Sequence, residues 1–457
     1  MNYSELNKRL ANKWLPLVLI GFLFLRFSTT LNAQSYIGYN VDRYAGVHGV
    51  PFNPALVSGS AYRVDVNIIS SSAYLSTDYL GLNIQSVFKG GAGFNFDDDL
   101  ERFPSDANNF FLNTDILGPS VLFNLGQKSS VALTTRLRGA FNLSNISGQF
   151  YESIADGFID GGDFDINMNE FAGIGHIWGE IGATYGQVLL ANERNILRGG
   201  VTLKYLAGGG GLFTNSQSLK GNYDDQDRLL TTSGNLAFGY TDGFDTGEPE
   251  LAINGSGVGV DLGFVYELNP GNQEMITSYA GVENYRLRFG VSMVDIGFIT
   301  YQNSNLFDYN LNGTVAAEDF EGNLSIDEIL DKNYSSTERI ANQKIGLPTT
   351  LILFVDYSFN RRFHVAVQGS FSLKDEISLV TNSMNNSFSI TPRFETKWIS
   401  VYSPVGIREY DSSVAWGLGL RLGPLLVGSG SILSNLISNS SNSADVYLAL
   451  KIPIYKK

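Results

Sequence analysis

The residues of this chain that could do chemistry are few. It has three histidines, His48, His176 and His364, and no cysteine, so thiolate nucleophiles and disulfides are excluded. It also lacks a Gly-x-Ser-x-Gly segment, a Gly-Lys pair for a phosphate loop and a histidine pair at metal-binding spacing. We therefore predict that the protein is not an enzyme.

The most specific local pattern begins at Asp308 and reads Asp-Tyr-Asn-Leu-Asn-Gly, with a carboxylate at the twelfth position. Oxygen ligands at positions 1, 3, 5 and 12 and a glycine at position 6 are typical of a calcium loop. The pattern predicts a calcium site, the single cofactor that the sequence suggests, formed by Asp308, Asn310, Asn312 and Asp319. The alternative is a strand with a tight Asn-Gly turn and an acidic loop, because Tyr309, Leu311 and Val315 also alternate.

A second group of polar side chains recurs at alternate positions within apolar segments. Charges of both signs that face one interior either bind a solute or pair with each other to hold a segment in place, and pairing is the interpretation that we favour. These candidate lumen residues are Arg136, Arg138, Asp261, Arg286, Arg288, Asp356, His364 and Arg421.

The elements that position these residues are strands, and 414–422 illustrates them. Its sequence, Val-Ala-Trp-Gly-Leu-Gly-Leu-Arg-Leu, places large apolar residues at every second position, with alanine, glycine and Arg421 between them. Alternate side chains of a strand point to opposite faces, so one face is apolar and the other small and partly charged. The apolar face meets either lipid, in a membrane barrel, or a second sheet, in a soluble sandwich.

The same alternation returns in about 14 segments between residue 62 and the end of the chain. Some connections are tight, at 359–362 and 423–424, and others are long and rich in Asn, Asp and Gly, at 89–116, 142–175, 208–250 and 300–347. With 50 glycines, 12% aromatic and only 17% charged residues, this pattern favours the membrane barrel. We predict an all-β fold, an antiparallel transmembrane β-barrel of about 14 strands.

The first 33 residues have the pattern of a secretory signal. Lys8, Arg9 and Lys13 precede an apolar run of about 13 residues, and a polar stretch leads to Ala33. Beyond it no apolar run reaches the roughly 18 residues that a spanning helix needs, so a membrane protein with this sequence must be a closed barrel. We predict a signal peptide at 1–33, a hatch-like segment at 34–61 in or under the lumen, and a barrel at 62–457.

The charge of the chain excludes one class of partner. The full chain carries −14, and the predicted signal contributes +3, from four basic residues against Glu5, which leaves −17 for the remainder. Such an acidic protein without a basic stripe repels phosphate backbones. We expect no nucleic-acid partner, and we expect the lipid of the outer membrane around the barrel.

A resemblance to known barrels is carried by 52–55, Phe-Asn-Pro-Ala, and by phrases at 259–267, 391–395 and 417–424. The chain resembles FadL-type outer-membrane barrels, the long-chain fatty-acid transporter family, and more specifically a Bacteroidetes outer-membrane family without established activity. The resemblance implies a cell outer-membrane barrel of about 14 strands with an N-terminal segment inside. It adds Asn53, Pro54 and Ala55 to the candidate lumen residues.

Two functions follow as hypotheses. The first is a porin-like channel or transporter for hydrophobic or amphipathic small molecules, with 34–55 entering the lumen as a hatch. The second is a barrel that does not transport and whose long loops dock partner proteins in an envelope or secretion complex. An apolar cavity would favour the first hypothesis, and a filled lumen with an apolar patch on the loops would favour the second.

Overall fold

A computed structural model describes residues 36–83, 100–156, 158, 162–192, 194–244, 253–269, 285–320, 326–374, 380–411 and 413–456. Its main element is one antiparallel sheet that closes on itself, because the first strand pairs with the last from Tyr62 opposite Tyr455 to Ser76 opposite Ser443. The sheet has 14 barrel strands, several of them interrupted once. The predicted fold is confirmed. The predicted signal peptide at 1–33 lies outside the described residues.

The first seven barrel strands are β1 (Tyr62–Thr77), β2 (Asn108–Leu117 and Ser120–Asn124), β3 (Ser129–Ile146), β4 (Phe164–Ala191), β5 (Asn195–Asp224), β6 (Leu229–Tyr240 and Gly255–Leu268) and β7 (Leu287–Asn310, continued by Gly313–Ala316). The other seven are β8 (Ser335–Gly346 and Thr350–Ser358), β9 (Phe363–Ser372), β10 (Ser387–Glu395), β11 (Ile399–Tyr402 and Val405–Arg408), β12 (Ala415–Trp416 and Leu418–Leu422), β13 (Leu425–Ser429) and β14 (Ser443–Tyr455).

The smaller elements lie at the ends of the barrel or inside it. A short hairpin pairs Leu80–Leu82 with Leu100–Arg102. The helices are α1 (Gly148–Asp156), α2 (Ile326–Asn333) and α3 (Ile432–Ile437), with 3-10 turns at Gly46–Gly49, Pro54–Gly59 and Ala317–Asp319. None of the helices in the described residues is long and apolar enough to cross a membrane.

The outer surface of the barrel is an apolar belt. Large apolar side chains that face outward on β3, β5, β6 and β14 are about half exposed, among them Leu137, Leu203, Val258 and Ile452, while their strand neighbours are buried or half-buried. An exposed belt of this kind is stable only against hydrocarbon, which agrees with the predicted location in the outer membrane. The stretch 414–422 follows the same rule, since Trp416 and Leu418 face outward and Arg421 faces inward.

All four of the predicted long loops are wrong in part, because strands run into them or through them. β4 and β5 have 28 and 30 residues, roughly three times what a tilted membrane strand needs. The extra length of β3 to β8 extends beyond the membrane at the end away from the short turns, which is the outer end in barrels of this kind. There Phe164, Tyr223, Phe238 and Tyr309 belong to a second hydrophobic core, against which residues of α1 and α2 pack.

Candidate functional site

Residues 36–61 are mostly buried and contact the inner face of the wall near the short turns, and we call this segment the plug. It is built from turns and two 3-10 helices, and Tyr39, Val41 and Val47 are completely buried. A polar lumen accepts such an irregular segment only if the backbone groups of the segment find partners in the wall.

The Asn-Pro-Ala sequence attaches the plug to the wall. Asn53 caps the helix Pro54–Gly59 by accepting a hydrogen bond from the amide of Ala55 at 3.0 Å, and Pro54 occupies the first helical position, where a missing amide proton costs nothing. The Asn53 amide also donates to the carbonyls of Phe264 and Val291, at 3.3 and 3.1 Å, and so connects the cap to β6 and β7.

A row of glycines receives this corner. Gly186, Gly200 and Gly263 are neighbours across β4, β5 and β6. A Cβ on Gly200 would overlap the backbone of Pro54 and Ala55, and one on Gly186 or Gly263 would overlap a plug side chain. These glycines are therefore required by close approach of two backbones.

Charged side chains hold the plug at its lower end, in a group that we call the plug network: Arg43, Arg288, Asp356, His364, Arg393 and Glu395. Arg393 joins Asp356 at 2.9 Å and Glu395 at 2.8 Å, and Arg288 also reaches Asp356 at 2.8 Å. The plug contributes Arg43, whose Nε lies 3.2 Å from Glu395, and the carbonyl of Val41, which accepts from Arg288. His364 Nε2 lies 3.2 Å from Arg43.

A second group, the wall network, lies on β2 to β7: Asp115, Arg136, Arg138, Glu180, Lys204, Asp261 and Asp295. Arg136 pairs with Asp115 at 2.8 Å, Arg138 pairs with Asp295 at 2.7 Å, and Lys204 contacts both Asp295, at 2.6 Å, and Asp261, at 2.9 Å. The guanidinium of Arg138 also lies over the Trp178 ring. Each buried charge therefore has an opposite partner, as its burial requires.

The remaining predicted residues have different surroundings. Arg421 donates to the carbonyl of Thr396 at 2.6 Å and to Ser400, lies over the Tyr44 ring, and has Asp42 of the plug at 3.9 Å. Arg286 does not join either network; it lies at the rim, over the ring of Tyr357. The candidate lumen residues predicted from the sequence did not include Glu180, Lys204, Asp295, Arg393 and Glu395. Most of these residues alternate with apolar residues, and this alternation already indicated that they face inward.

The predicted calcium residues are not arranged as a loop. Asp308 and Asn310 end the regular part of β7, and 313–316 continues along the same neighbour, β6. Asp308 and Asn310 lie two residues apart on the strand, with roughly 6–7 Å between their Cα atoms, and the side chain of Asn312 donates to Asn310 Oδ1. Asp319 accepts from Lys332 at 2.6 Å. Within the described ranges no three acidic or histidine side chains form a metal cluster. Calcium binding itself stays a prediction.

Residues 380–386, which we call the inner loop, lie inside the barrel on the outer side of the plug. Asn382, Ser383 and Asn385 are buried. Asn382 is 2.8 Å from His176 Nδ1, and the other nitrogen of His176 is 2.8 Å from the Tyr301 hydroxyl. These contacts hold the inner loop against β4 and β7.

Between plug and inner loop lies a chamber of about 70 Å³. A cavity that holds one water has a volume of about 10–15 Å³. The chamber is therefore large enough for several waters or for one small organic molecule. Its apolar lining includes Leu117, Val294 and Ile352 of the wall and Phe52 of the plug, and Met384 of the inner loop completes it.

The polar lining of the chamber is incompletely bonded. Arg138 Nε and His48 Nδ1 have no hydrogen-bond partner, although both residues are buried. The other nitrogen of His48 is 2.7 Å from Ser70. Burial, with a contribution from Lys451, lowers the pKa of the His48 imidazole to about 3, so the ring is neutral at neutral pH.

Comparison with solved structures gives similar barrels at low sequence identity. The toluene transporter TbuX of Ralstonia pickettii is 11% identical, with 88% of this chain and 92% of that chain covered and a TM-score of 0.42. The toluene transporter TodX of Pseudomonas putida is 9% identical, with 93% of this chain and 99% of that chain covered and a TM-score of 0.42. A FadL homologue of Pseudomonas aeruginosa is 10% identical, with the same coverage of both chains and a TM-score of 0.30.

No curated protein matches the chain. These likenesses concern the fold alone, and a Bacteroidetes origin stays a prediction. The model of the family of unknown function DUF5723 matches residues 54–430, which include the Pro-Ala of the plug corner and most of the barrel, and the chain therefore belongs to that family.

Proposed function

We propose that this outer-membrane barrel is a channel for small amphipathic molecules, closed in this conformation by the plug below and the inner loop above. The observation that carries the proposal is the chamber between the two closures. Both closures are irregular segments attached largely through side chains, with one short backbone bridge between the inner loop and Gly346, whereas the wall is a hydrogen-bonded sheet. Movement of either closure leaves the barrel intact, which is the property that a gate needs.

The chamber lining supports an amphipathic solute. Phe52, Val294 and Ile352 favour a hydrocarbon part, because they gain from removal of apolar surface from water. Arg138 Nε and His48 Nδ1 favour a polar group, because each is a buried atom without a partner. A few polar groups in a mainly apolar concave site are typical of small-molecule binding.

Non-enzymatic function is part of the same proposal. Each histidine is buried and close to a polar neighbour: Ser70 for His48, Tyr301 for His176 and Arg43 for His364. Side chains in such surroundings have a structural role, and none of the three lies beside a hydroxyl that opens to a cleft. We expect no hydrolytic activity in the purified protein.

A disulfide that fixes the plug tests the channel. A Cβ at Gly186 would touch a methyl group of Val57, so Cβ atoms at positions 57 and 186 lie within about 4 Å, the span of a disulfide. The native chain has no cysteine to interfere. The probe is benzyltrimethylammonium, an amphipathic cation that does not cross lipid, and its uptake into proteoliposomes is measured for Val57→Cys/Gly186→Cys.

We expect the oxidised double variant to take up the probe at least tenfold more slowly than the same variant after reduction. Each single variant is the control and should not respond to oxidant. The channel is contradicted if neither the wild type nor a variant without residues 36–61 exceeds protein-free liposomes.

One observation favours the second hypothesis, docking of an envelope partner. Among the described residues, Ser335–Gln343 of β8 pairs only with β7, and its opposite edge has no strand beside it. Unpaired edges accept an added strand from another chain. A photo-crosslinking residue in place of Ile340, which is 66% exposed, would label a bound strand in intact cells.

A further inference from the structure

A second cavity lies at the outer end, where β5 and β6 separate. Their pairing is interrupted between Asn215 and Leu219, so that three residues of β5 oppose two of β6. Such a bulge removes ladder hydrogen bonds and bends the strand. The resulting cleft measures about 630 Å³, within the usual size of small-molecule sites, and is lined by β5, β6 and β7. We call it the vestibule.

The register of the strands places the vestibule on the lumen side. Asp308 lies two residues from Leu306 on β7, and Asn215 lies two residues from Phe213 on β5. Leu306 and Phe213 belong to the buried cluster of Trp178, which is in the lumen next to the inner loop. Because residues two apart share a face of a strand, Asp308 and Asn215 face the path that leads to the inner loop.

The polar lining of the vestibule has few partners inside the protein. Among the described residues, the side chains of Asn215, Gln217, Asn235 and Asp308 make no hydrogen bond or ion pair. The Ser216 hydroxyl is 97% buried and also without a partner. Gln217, Asn235 and Asp308 are exposed and Asn215 is half-buried, so their polar groups face the open cleft, where a ligand can reach them.

The types of these side chains restrict the ligand. Each amide offers a donor and an acceptor, and the serine hydroxyl does the same. An anion would use the donors alone and would meet the Asp308 carboxylate; a cation would face the amide NH₂ groups; a hydrocarbon would leave every group unbonded. A ligand with many neutral hydroxyl groups satisfies donors and acceptors together. The basic residues next to the cleft in the ladder, Lys220 and Arg339, are not among the lining residues.

We propose that the vestibule binds a neutral, hydroxyl-rich ligand, namely a saccharide, through Asn215, Ser216, Gln217, Asn235 and Asp308. The site is separate from the chamber, and the proposal stands whether or not the barrel passes solute. Amide pairs contact adjacent hydroxyls of the sugar, and the Asp308 carboxylate accepts from one of them. Asp308 and Asn310, two residues of the predicted calcium site, also lie in this lining.

Saturation-transfer NMR on the full-length protein, in a detergent without sugar groups, tests the proposal. The probes are maltose, cellobiose, lactose and raffinose. We expect at least one to bind, and we expect Asn235→Ala and Gln217→Ala each to weaken its binding about tenfold or more. Asp308→Asn should change binding less than threefold, because an amide still accepts from a hydroxyl. Gln226→Ala, in an exposed turn outside the cleft, is the control and should bind like the wild type.

Three results would overturn the saccharide site. In the first, none of the four sugars binds the wild type. In the second, Asn235→Ala and Gln217→Ala bind as the wild type does. In the third, Asp308→Asn abolishes binding and calcium competes with the sugar, which would identify a cation site. Circular dichroism of each variant shows whether the barrel is folded. Since no transport is measured, a failure here is distinct from a failure of the channel.

Discussion

The surface around the plug and the vestibule are both polar, but they differ in how many of their groups are bonded. Around the plug, Arg393, Asp356 and Glu395 satisfy each other, and the carbonyls of the plug accept from Arg288 and Lys451. In the vestibule, the side chains of Asn235 and Asp308 make no hydrogen bond or ion pair among the described residues. Polar groups that saturate each other hold the structure, whereas groups left open at a cleft are available to a ligand.

The largest effect that tests this comparison is expected in the plug network. Arg393→Ala leaves Asp356 and Glu395 buried with less positive charge, and loss of one partner of a buried pair costs about 3–5 kcal/mol. The temperature at which the folded band is lost in gel electrophoresis should fall accordingly. The matched control is Arg286→Ala at the rim, which should cost less than about 1 kcal/mol. Equal effects in the two variants would contradict a structural role for the network.

Acid should release the plug through His48. Its pKa of about 3 in the closed state lies below the ordinary 6.5, so the released plug binds the proton more readily than the buried one. The stabilisation of the closed plug by the neutral imidazole is complete above pH 6.5 and is lost as the pH falls toward 3. At 1.36 kcal/mol per pKa unit, about 3 kcal/mol of this stabilisation is lost at pH 4. Single-channel conductance should therefore rise between pH 7 and pH 4.

His48→Gln is the control for this pH dependence, because glutamine keeps a polar side chain and does not titrate. Other groups of the plug also respond to acid, and the raised pKa of Asp42, caused mainly by burial, acts in the opposite direction. The difference between wild type and His48→Gln isolates the imidazole. An unchanged pH profile in the variant would show that His48 does not control the plug.

A smaller effect is expected at the glycine row. Gly200→Ala places a methyl group where the backbone of Pro54 and Ala55 lies, and overpacking of this kind costs about 1–3 kcal/mol. We expect a shifted plug and faster cleavage between residues 36 and 61 by added protease. Gly126→Ala, where a Cβ would meet no atom within 4 Å, is the matched control and should be cleaved like the wild type.

The sequence was sufficient for the barrel because alternation is a local property, and Arg421 between apolar neighbours already implied an inward charge. It was insufficient for the outer extension: 164–170 and 215–222 are rich in Asn, Ser and acidic residues, so strands there look like loops. The ion pairs were also out of reach, because Lys204 meets Glu180 and Asp295 through the stagger of three strands. Asn53 was recognised as part of the Asn-Pro-Ala motif. Its attachment of the plug to the wall depends on the space left by Gly263, which is distant in the chain.

The smallest effect should come from Asp308 and calcium. A calcium loop needs its ligands on a tight curve, and here Asp308 and Asn310 lie along an extended strand while Asp319 bonds to Lys332. We therefore expect Asp308→Ala to leave calcium uptake unchanged in a titration, whereas it should weaken sugar binding more than Asp308→Asn does. A loss of calcium uptake would restore the calcium loop, and it would mean that the open groups of the vestibule serve a metal rather than a sugar.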